Sequence, residues 1–427
     1  MRFKTLQQWL DWQEQLHPSE IELGLERVSQ VWQSLHDAPF PVPVVTVAGT
    51  NGKGSSVALL DAIARAAGYR VGCYTSPHLI RYNERIRIDG EELSDERICQ
   101  AFQSVDEARE GTPLTYFEFG TLAALEIFAS ADLDLVILEV GLGGRLDAVN
   151  IIDPDVALIT TVDIDHAEWL GSDRESIGRE KAGIMRPDRP VVSATPEPPG
   201  SVLEHAENIG ATLHLAGRDF GYRNLEEGWT WWSGTRNRHS LPQPYLRGRF
   251  QLQNASAVLM VLELLADRLP VDQRAVRAGL QSVRVAGRFE ILDRDPLVVL
   301  DVAHNREAAT GLASNLQDLF CSGDSCAVFA MLADKDLQQV VEIMRPRIDH
   351  WFCAPLPGPR SLGVKELAAG LMEAGVEETA INRCDSLATA YREARSQAGP
   401  EGRVVVFGSF LTVGGVLELN REIGRTD

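Results

Sequence analysis

A glycine-rich segment with one lysine is the part of the sequence best suited to bind phosphate. It reads GTNGKG (49–54) and lies between an apolar run at 43–49 and a run of helix-forming residues that ends at Gly68. Glycines let the backbone approach a phosphate closely, N–H groups at a helix start favour anions, and a lysine can meet the β- and γ-phosphates. The strand, the loop and the helix together predict a nucleotide site.

The spacing of this segment differs from the usual phosphate-loop pattern G-x-x-x-x-G-K-[ST]. Val47 stands where the first glycine would be, and Gly54 stands where the serine or threonine would be. In that pattern the hydroxyl binds Mg²⁺. We therefore expect a metal to be held by residues elsewhere in the chain.

Polar residues occur at the ends of three apolar runs that we predict as parallel strands. Ser76 ends the run at 69–77, Glu139 lies inside the run at 133–144, and His166 ends the run at 154–166. Parallel strands bring their carboxyl ends to one sheet edge, and a carboxylate among apolar residues needs a cation or a proton. Taken singly, each residue could be a satisfied structural group. Together they favour a cation site, although Mg²⁺ prefers oxygen ligands and His166 is the unusual member.

The order of apolar runs and helical patterns predicts an α/β protein with two domains. Residues 1–285 should form a P-loop-type parallel sheet with helices on both faces, and residues 286–427 a smaller Rossmann-like α/β domain. We also predict helical patterns at 5–36 and 250–269, and turns with short antiparallel strands at 196–245. In the second domain the predicted strands are 297–304, 326–332, 350–356 and 403–409, and the predicted helices are 306–319, 336–346, 364–374 and 386–398.

Composition excludes several classes of protein. The 427 residues carry a net charge of −20 and are 44% hydrophobic. A general nucleic-acid binder would normally carry a basic face, and a membrane span needs an apolar run of about 18 residues, which this chain lacks. Six scattered cysteines without a C-x-x-C pair suit reduced thiols, and the first residues do not resemble a secretory signal. We therefore expect a cytoplasmic protein that contacts neither nucleic acid nor membrane.

Longer motifs occur in a fixed order along most of the chain. They are GTNGKGS, YTSPHLIRYNERI, TYFEFGTLAAL, LEVGLGGRLDAVN, DIDHAEWLG, IGREKAGI, AGRFE, DVAHN, AMLADKD and VFGSF. In this order they resemble the folylpolyglutamate synthase/dihydrofolate synthase family of the Mur ligase superfamily. The segment IELGLERV (21–28) is similar to the bacterial bifunctional members.

The resemblance implies an ATP-dependent amide ligase. Such enzymes phosphorylate a carboxylate with ATP, and the amino group of L-glutamate then displaces the phosphate. The implied substrates are dihydropteroate, reduced folates and L-glutamate, and the implied cofactors are ATP and Mg²⁺, with two ions expected. The implied protein is a monomer whose ATP would be clamped between the two domains.

The resemblance also assigns roles to single residues. Lys53, Lys181 and His304 would take part in catalysis, and Lys181 corresponds to a lysine that is carbamylated in this superfamily; its alternative role is a surface salt bridge. Nucleotide contacts would come from Thr50, Asn51, Gly52, Lys53, Gly54, Asn254, Arg288 and Asp301. Metal ligands would be Ser76, Glu139, His166 and the carbamylated Lys181. The incoming glutamate would lie near His304 and Ser409, and the pterin substrate near Leu23, Gly24, Leu25, Thr115, Tyr116, Phe117, Glu118, Leu146, Asp147 and Ala148.

Other features leave alternatives open. Arg81 and Arg85 could meet the glutamyl carboxylates of the substrate, or they could form ordinary salt bridges. Ala286, Arg306 and Phe250 depart from the family pattern at places that affect a linker, a helix start and one motif.

The function of the whole protein also has alternatives: a cell-wall Mur ligase acting on a UDP-sugar, a non-catalytic nucleotide switch, and a synthase with the polyglutamate activity alone. The position of the phosphate loop near residue 49 disfavours the cell-wall ligase. The residues that match the family's metal ligands and its contacts to L-glutamate disfavour the switch, which would not need them.

Overall fold

The structure is a computed structural model that describes residues 2–36, 38–234, 236–248 and 250–423. By its internal contacts the chain divides into two compact units. Unit 1 comprises 1–78, 82–245 and 252–283, and unit 2 comprises 79–81, 246–251 and 284–427. The sequence placed the boundary between residues 285 and 286. It did not predict that the short segments 79–81 and 246–251 group with the second unit.

An eight-stranded sheet forms the centre of unit 1. The strand order in the sheet is β4-β3-β2-β5-β1-β6-β7-β8. The strands β2, β5, β1, β6, β7 and β8 are parallel to one another, whereas β3 pairs antiparallel with both β2 and β4 at the edge. The central strands are continuous apolar runs because both faces of the sheet are covered. Their bounds are β1 Val44–Ala48, β2 Val71–Tyr74, β3 Ile86–Ile88, β4 Glu91–Glu92, β5 Leu135–Glu139, β6 Val156–Ile159, β7 Pro190–Ser193 and β8 Thr212–Leu215.

Ten helices accompany this sheet in the described part of unit 1. Polar caps begin several of them: Thr5 and Thr115 each form a reciprocal capping box with the residue three positions later. Such caps satisfy the first N–H groups of a helix and fix where it begins. The bounds are α1 Leu6–Gln13, α2 Glu26–Leu35, α3 Lys53–Ala66, α4 Asp95–Ala108, α5 Tyr116–Ala129, α6 Ala167–Leu170, α7 Arg174–Ala182, α8 Gly200–Ile209, α9 Phe250–Leu264 and α10 Gln273–Ser282.

The prediction for residues 196–245 is only partly correct. An antiparallel three-stranded sheet is present, formed by β9 Phe220–Asn224, β10 Trp229–Ser233 and β11 Asn237–Leu241. Before it, however, residues 200–209 are the helix α8, and β8 joins the main sheet parallel to β7. The prolines at 196–199 obscured this helix, because they mark the turn before it and not its interior.

Unit 2 contains a six-stranded sheet with helices on both faces. Its order is β12-β13-β17-β14-β15-β16, parallel except for the β12–β13 pair at one edge. Helices α11, α12 and α13 cover one face, and α14 and α15 cover the other. The bounds are β12 Glu290–Arg294, β13 Leu297–Leu300, α11 Arg306–Gln317, β14 Ser325–Phe329, α12 Leu337–Met344, β15 His350–Cys353, α13 Val364–Glu373, β16 Ile381–Arg383, α14 Leu387–Ala398, β17 Arg403–Phe407 and α15 Phe410–Ile423.

The predicted fold class is confirmed. Both units are α/β, the first sheet is parallel at its centre, and the second unit is smaller and built from alternating strands and helices. In the described part of the chain, no helix is both long enough and apolar enough to cross a bilayer.

Candidate active site

The loop between β1 and α3 has a backbone that only glycine permits at two positions. A side chain at Gly49 would place its Cβ 1.8 Å from Thr160 Oγ1, and Gly52 has a φ of +86° at the start of α3. The loop is held from the neighbouring strand end: Thr50 N donates to Thr161 O at 2.8 Å, and Asn51 N donates to Thr161 Oγ1 at 3.0 Å. These contacts fix the loop at the edge of the sheet.

Lys53 and Asn254 complete the loop. The ammonium of Lys53 donates to the carbonyls of Gly49 at 2.9 Å and Thr50 at 3.3 Å, so the charge lies over the loop backbone. Asn254 Oδ1 would be 2.8 Å from a Cβ at Gly52, which places this α9 amide directly against the loop. The loop therefore combines a cation, a helix start and a side-chain amide, as a polyphosphate site requires.

Ser76 and Glu139 lie together beside this loop. Glu139 is the last residue of β5, pairs in register with Val47 of β1, and is 4% exposed. Its Oε2 accepts the N–H of Ser76 at 3.2 Å. A Cβ on Gly54 would lie 3.7 Å from Glu139 Oε1. The residue that breaks the usual phosphate-loop pattern therefore lies next to the buried carboxylate.

His166 and Lys181 are on neighbouring segments. His166 has a φ of +51° at the start of the short helix α6, its N–H donates to Asp165 Oδ1 at 2.8 Å, and its side chain is 36% exposed. Lys181 lies near the end of α7 and is only 3% exposed, which disfavours the alternative of a surface salt bridge. Among the described residues, no group of three or more His, Cys, Asp and Glu could hold a metal ion.

The loop after β5 is packed tightly against α7. A Cβ on Gly144 would lie 2.8 Å from Glu180 O and 3.2 Å from Lys181 Cα. Arg145 donates its backbone N–H to Glu180 O and its guanidinium to the Glu180 carboxylate, both at 2.8 Å. The glycines of this loop thus allow α7, and Lys181 with it, to approach the end of β5.

The donors at this edge fit a hard divalent cation. Glu139 contributes a buried carboxylate, which is costly unless a cation balances it, and Ser76 contributes a hydroxyl on the adjacent strand. The predicted pair Ser76 and Glu139 is thus brought into direct contact. The participation of His166 and Lys181 in the same ligand set stays a prediction.

Two of the three segments of predicted pterin residues, 23–25 and 115–118, lie at helix starts of unit 1. Leu23, Gly24 and Leu25 are partly buried and precede α2, while Thr115 to Glu118 begin α5. The carboxylate of Glu118 is 3% exposed and accepts Thr115 N at 2.8 Å and Thr115 Oγ1 at 3.0 Å. Thr115 and Glu118 therefore have a structural role as a capping box, whatever they contribute to a ligand.

Arg27 connects these two segments. Its Nε lies 2.9 Å from both oxygens of Glu118, 91 residues away, and its Nη2 donates to Glu22 O at 2.9 Å. It also pairs with the carboxylate of Glu22. The short loop that contains residues 23–25 is therefore closed at its base by one guanidinium, which the sequence analysis did not identify.

The third segment, 146–148, contains a buried acid, and Phe117 of the second segment packs against Tyr74. Phe117 is within 6.0 Å of the Tyr74 ring, and its Cζ would be 2.6 Å from a Cβ at Gly141. Asp147 accepts Leu142 N at 2.8 Å and Val149 N at 3.1 Å. Burial raises the pKa of Asp147 to about 6, opposed by these N–H bonds and by the charge of Lys53. Leu146 is partly exposed, and Ala148 is buried beside Asp147.

Unit 2 presents a second group of predicted residues at the end of β13. Asp301 accepts Phe289 N and Ala303 N, both at 2.9 Å. Burial raises the pKa of Asp301 to about 6, and the charge of Arg288 opposes the rise. Arg288 lies over the Phe410 ring at 5.4 Å. Within this unit, the predicted nucleotide residues Arg288 and Asp301 are therefore neighbours.

His304 and Ser409 follow β13 and β17, which are adjacent strands. His304 Nδ1 lies 2.8 Å from Val302 O, so this nitrogen donates to the carbonyl. Ser409 is buried and caps α15: its Oγ accepts Thr412 N at 3.0 Å and contacts Thr412 Oγ1 at 2.7 Å. The hydroxyl of Ser409 thus has a structural role, and its contact with glutamate stays a prediction.

Two known protein families match the chain. Residues 47–262 match the Mur ligase middle domain, and residues 287–410 match the Mur ligase glutamate ligase domain. The dihydrofolate synthase/folylpolyglutamate synthase of Escherichia coli (strain K12) is 43% identical over 97% of this chain and 95% of that protein. The protein of the same description from Haemophilus influenzae is 40% identical over 96% of each chain.

Solved structures agree with the sequence comparisons. E. coli FolC in complex with DHPP and ADP superposes with a TM-score of 0.93 at 42% identity, covering 99% of both chains. A bifunctional folylpolyglutamate synthase/dihydrofolate synthase with Mn, AMPPNP and L-glutamate bound gives a TM-score of 0.89 at 44% identity, covering 98% of both chains.

Proposed function

The chain belongs to the Mur ligase family, among the dihydrofolate synthase/folylpolyglutamate synthases, and we propose how its residues carry out that chemistry. The enzyme joins L-glutamate to dihydropteroate, giving dihydrofolate, and to the γ-carboxylate of reduced folates, with hydrolysis of ATP to ADP and phosphate. The observation that carries the proposal is the phosphate loop at 49–54, with the buried Glu139 carboxylate and Ser76 directly beside it.

The first step is transfer of the γ-phosphoryl group of ATP to a substrate carboxylate. A carboxylate oxygen attacks phosphorus, the bond to the β-phosphate oxygen breaks, and ADP leaves. Lys53 and the N–H groups of the loop neutralise charge on the transferred group, and Asn254 contacts the nucleotide from α9. In phosphoryl transfer such positioning and charge neutralisation supply most of the catalysis.

The second step forms the amide bond. The amino nitrogen of L-glutamate attacks the acyl carbon, phosphate departs with the former carboxylate oxygen, and the nitrogen loses a proton. His304, whose Nδ1 donates to Val302 O, and Ser409 are proposed to contact the glutamate. Arg288 and Asp301 are proposed to contact the nucleotide.

The metal site uses Ser76, Glu139, His166 and a carbamylated Lys181. A divalent cation, Mg²⁺ in this family, supplies charge neutralisation at the phosphate oxygens when bound. Carbamylation would convert the buried ammonium of Lys181 into an anionic oxygen ligand, which explains how a lysine could serve a cation. An electron-density map at this side chain would test the modification.

The remaining parts of the proposal concern the protein as a whole. Residues 1–285 would act as the ATP-binding domain and 286–427 as the glutamate-ligase domain. The pterin substrate would lie against residues 23–25, 115–118 and 146–148, with Arg81 near its glutamyl part. We propose that the enzyme is a cytoplasmic monomer; sedimentation at micromolar concentration would test the oligomeric state.

One set of assays tests the function. Release of ADP should require ATP, L-glutamate and either dihydropteroate or tetrahydrofolate. Lys53→Ala should lower turnover about 100-fold or more, as removal of a charge-stabilising donor does in other enzymes. Arg236→Met, which removes an exposed partner of Glu263, is the matched control and should keep full activity. Failure of the unaltered enzyme to turn over either pterin substrate would refute the proposal.

A further inference from the structure

Arg85 lies beside the strand end that carries Ser76. It ends a single helical turn at Tyr82–Arg85 and immediately precedes β3. Its backbone carbonyl accepts the N–H of Thr75 at 2.9 Å, one residue before Ser76. The position of its backbone is therefore fixed relative to the proposed metal edge.

The guanidinium of Arg85 is held by neutral groups. It lies over the Tyr82 ring at 5.4 Å and over the Tyr116 ring at 5.5 Å, and its Nε donates to His78 Nδ1 at 2.8 Å. Because an arginine only donates, His78 Nδ1 is the accepting atom of this hydrogen bond. Two aromatic faces and one hydrogen bond thus fix the plane of the guanidinium.

Arg85 has no carboxylate partner among the described residues. Glu14 and Glu84 act electrostatically on members of the cluster, but neither forms an ion pair with Arg85. Other arginines of this unit, such as the partly buried Arg27 and the buried Arg109, do have such partners. This disfavours the ordinary salt bridge considered for Arg85. A guanidinium held in this way keeps its terminal N–H groups in a geometry that suits a carboxylate.

The two pterin substrates differ in one respect that concerns such a cation. Dihydropteroate has a single carboxylate, and that carboxylate reacts. A reduced folate reacts at its γ-carboxylate. It also carries an α-carboxylate, which is separated from the γ-carboxylate by three carbon atoms of the glutamyl chain. A site that accepts both substrates needs a group for this second anion, placed near the reacting carboxylate but separate from it.

We propose that Arg85, held against Tyr82 and Tyr116, binds the α-carboxylate of the folate substrate and so determines specificity for polyglutamylation. The inference rests on the proposed function. It assigns to Arg85 a role in one of the two reactions, whereas Lys53 and the metal ligands serve both. Tyr116, which begins α5, connects this cation to the wall proposed for the pterin.

The test compares Arg85→Met with the unaltered enzyme on both substrates. Methionine keeps a long apolar side chain against the two rings and removes the charge. The ratio of kcat/KM for tetrahydrofolate to kcat/KM for dihydropteroate should fall about 10- to 100-fold, mainly through KM for tetrahydrofolate, because one charge-assisted hydrogen-bonded pair is lost. Arg85→Lys, which keeps the charge, should restore part of the ratio. Arg236→Met should leave the ratio unchanged.

A modified substrate separates this role from a structural one. Tetrahydrofolate amidated at its α-carboxyl should be a poorer substrate for the unaltered enzyme by a similar factor. Combined with Arg85→Met it should show little further loss, because both changes remove the same contact. Loss of structure would instead lower the unfolding temperature and impair both substrates equally.

Two outcomes would overturn the inference. One is an equal loss with dihydropteroate and tetrahydrofolate, and the other is additive losses from the variant and the amidated substrate. Both differ from failure of the proposed function, in which the unaltered enzyme would turn over neither substrate.

Discussion

Gly49→Ala should disrupt the phosphate loop far more than Gly54→Ala. At Gly49 the new Cβ would lie 1.8 Å from Thr160 Oγ1, and an ordinary contact begins near 3.4 Å, so 1.6 Å (3.4 − 1.8) must be made up by movement. At Gly54 the nearest atom, Glu139 Oε1, is 3.7 Å away, which is an ordinary contact. The two variants therefore add the same methyl group to one loop, with a steric clash at position 49 and an ordinary contact at position 54.

The cost at Gly49 has two parts. Thr160 Oγ1 donates to Asn51 O at 2.6 Å, so rotating this side chain away would sacrifice a bond that holds the loop. Overpacking of a tight site costs about 1–3 kcal/mol, and an unfavourable backbone conformation about 1–2 kcal/mol more. We therefore expect a loss of about 2–5 kcal/mol in the free energy of unfolding, or an equivalent displacement of the loop. A displacement of about 1 Å can reduce turnover about 100-fold.

The assays are chemical unfolding and the KM for ATP. Gly49→Ala should lower the unfolding midpoint and raise the KM for ATP, whereas Gly54→Ala should leave the midpoint unchanged or slightly higher, because alanine favours a helix. An unfolding midpoint and a KM for ATP in Gly49→Ala that match the unaltered enzyme would show that the loop is not packed against Thr160 as described.

Four further predictions concern single residues. Gln13→Leu should raise the free energy of unfolding by about 1–3 kcal/mol, because Gln13 is 1% exposed and neither of its amide atoms has a hydrogen-bond partner among the described residues; a urea titration that shows destabilisation would contradict this. The pKa of Asp147 is raised to about 6, so the folded state keeps its proton while the unfolded state loses it, and stability relative to Asp147→Asn should fall by about 3 kcal/mol as pH rises from about 4 to above 6. Between unfolding titrations at pH 4.5 and pH 7.5 this relative stability should fall by about 2 kcal/mol, because the rest of the change occurs below pH 4.5; a constant difference between the two proteins would refute the prediction. Arg27→Met should raise the KM for dihydropteroate and leave the KM for ATP little changed, since it opens the loop at 22–27; parallel changes in both would argue against this role. Glu139→Gln should weaken Mn²⁺ binding about 10- to 100-fold by electron paramagnetic resonance, and unchanged affinity would exclude Glu139 as a ligand.

The parts of the site that depend on one continuous motif, or on strands adjacent in the sheet, could be predicted from the sequence. The phosphate loop is one continuous segment, and the ends of adjacent parallel strands necessarily meet, so the contact between Ser76 and Glu139 followed from strand assignments alone. The displaced serine directed attention to the carboxylate of Glu139, which lies next to Gly54; its role as a metal ligand stays a prediction.

The parts that depend on distant residues could not be predicted. Arg27 and Glu118 are 91 residues apart, and nothing in either segment indicates their pairing. Thr160 and Thr161 support the loop through hydroxyls about 110 residues away from Asn51, although two threonines at a strand end were a signal that could have suggested it. The sequence left two roles open for Arg85, substrate binding and an ordinary salt bridge, because only the folded structure shows that no carboxylate among the described residues pairs with it.

The central claim is that ligation proceeds through an acyl phosphate, and isotope transfer tests it most directly. Dihydropteroate labelled with ¹⁸O in its carboxylate would be incubated with enzyme, ATP and L-glutamate, and the released phosphate analysed by mass spectrometry. Because the carboxylate oxygen that attacks phosphorus departs with the phosphate, each phosphate should carry one ¹⁸O atom from the substrate. Phosphate without the label, released together with the amide product, would contradict the mechanism.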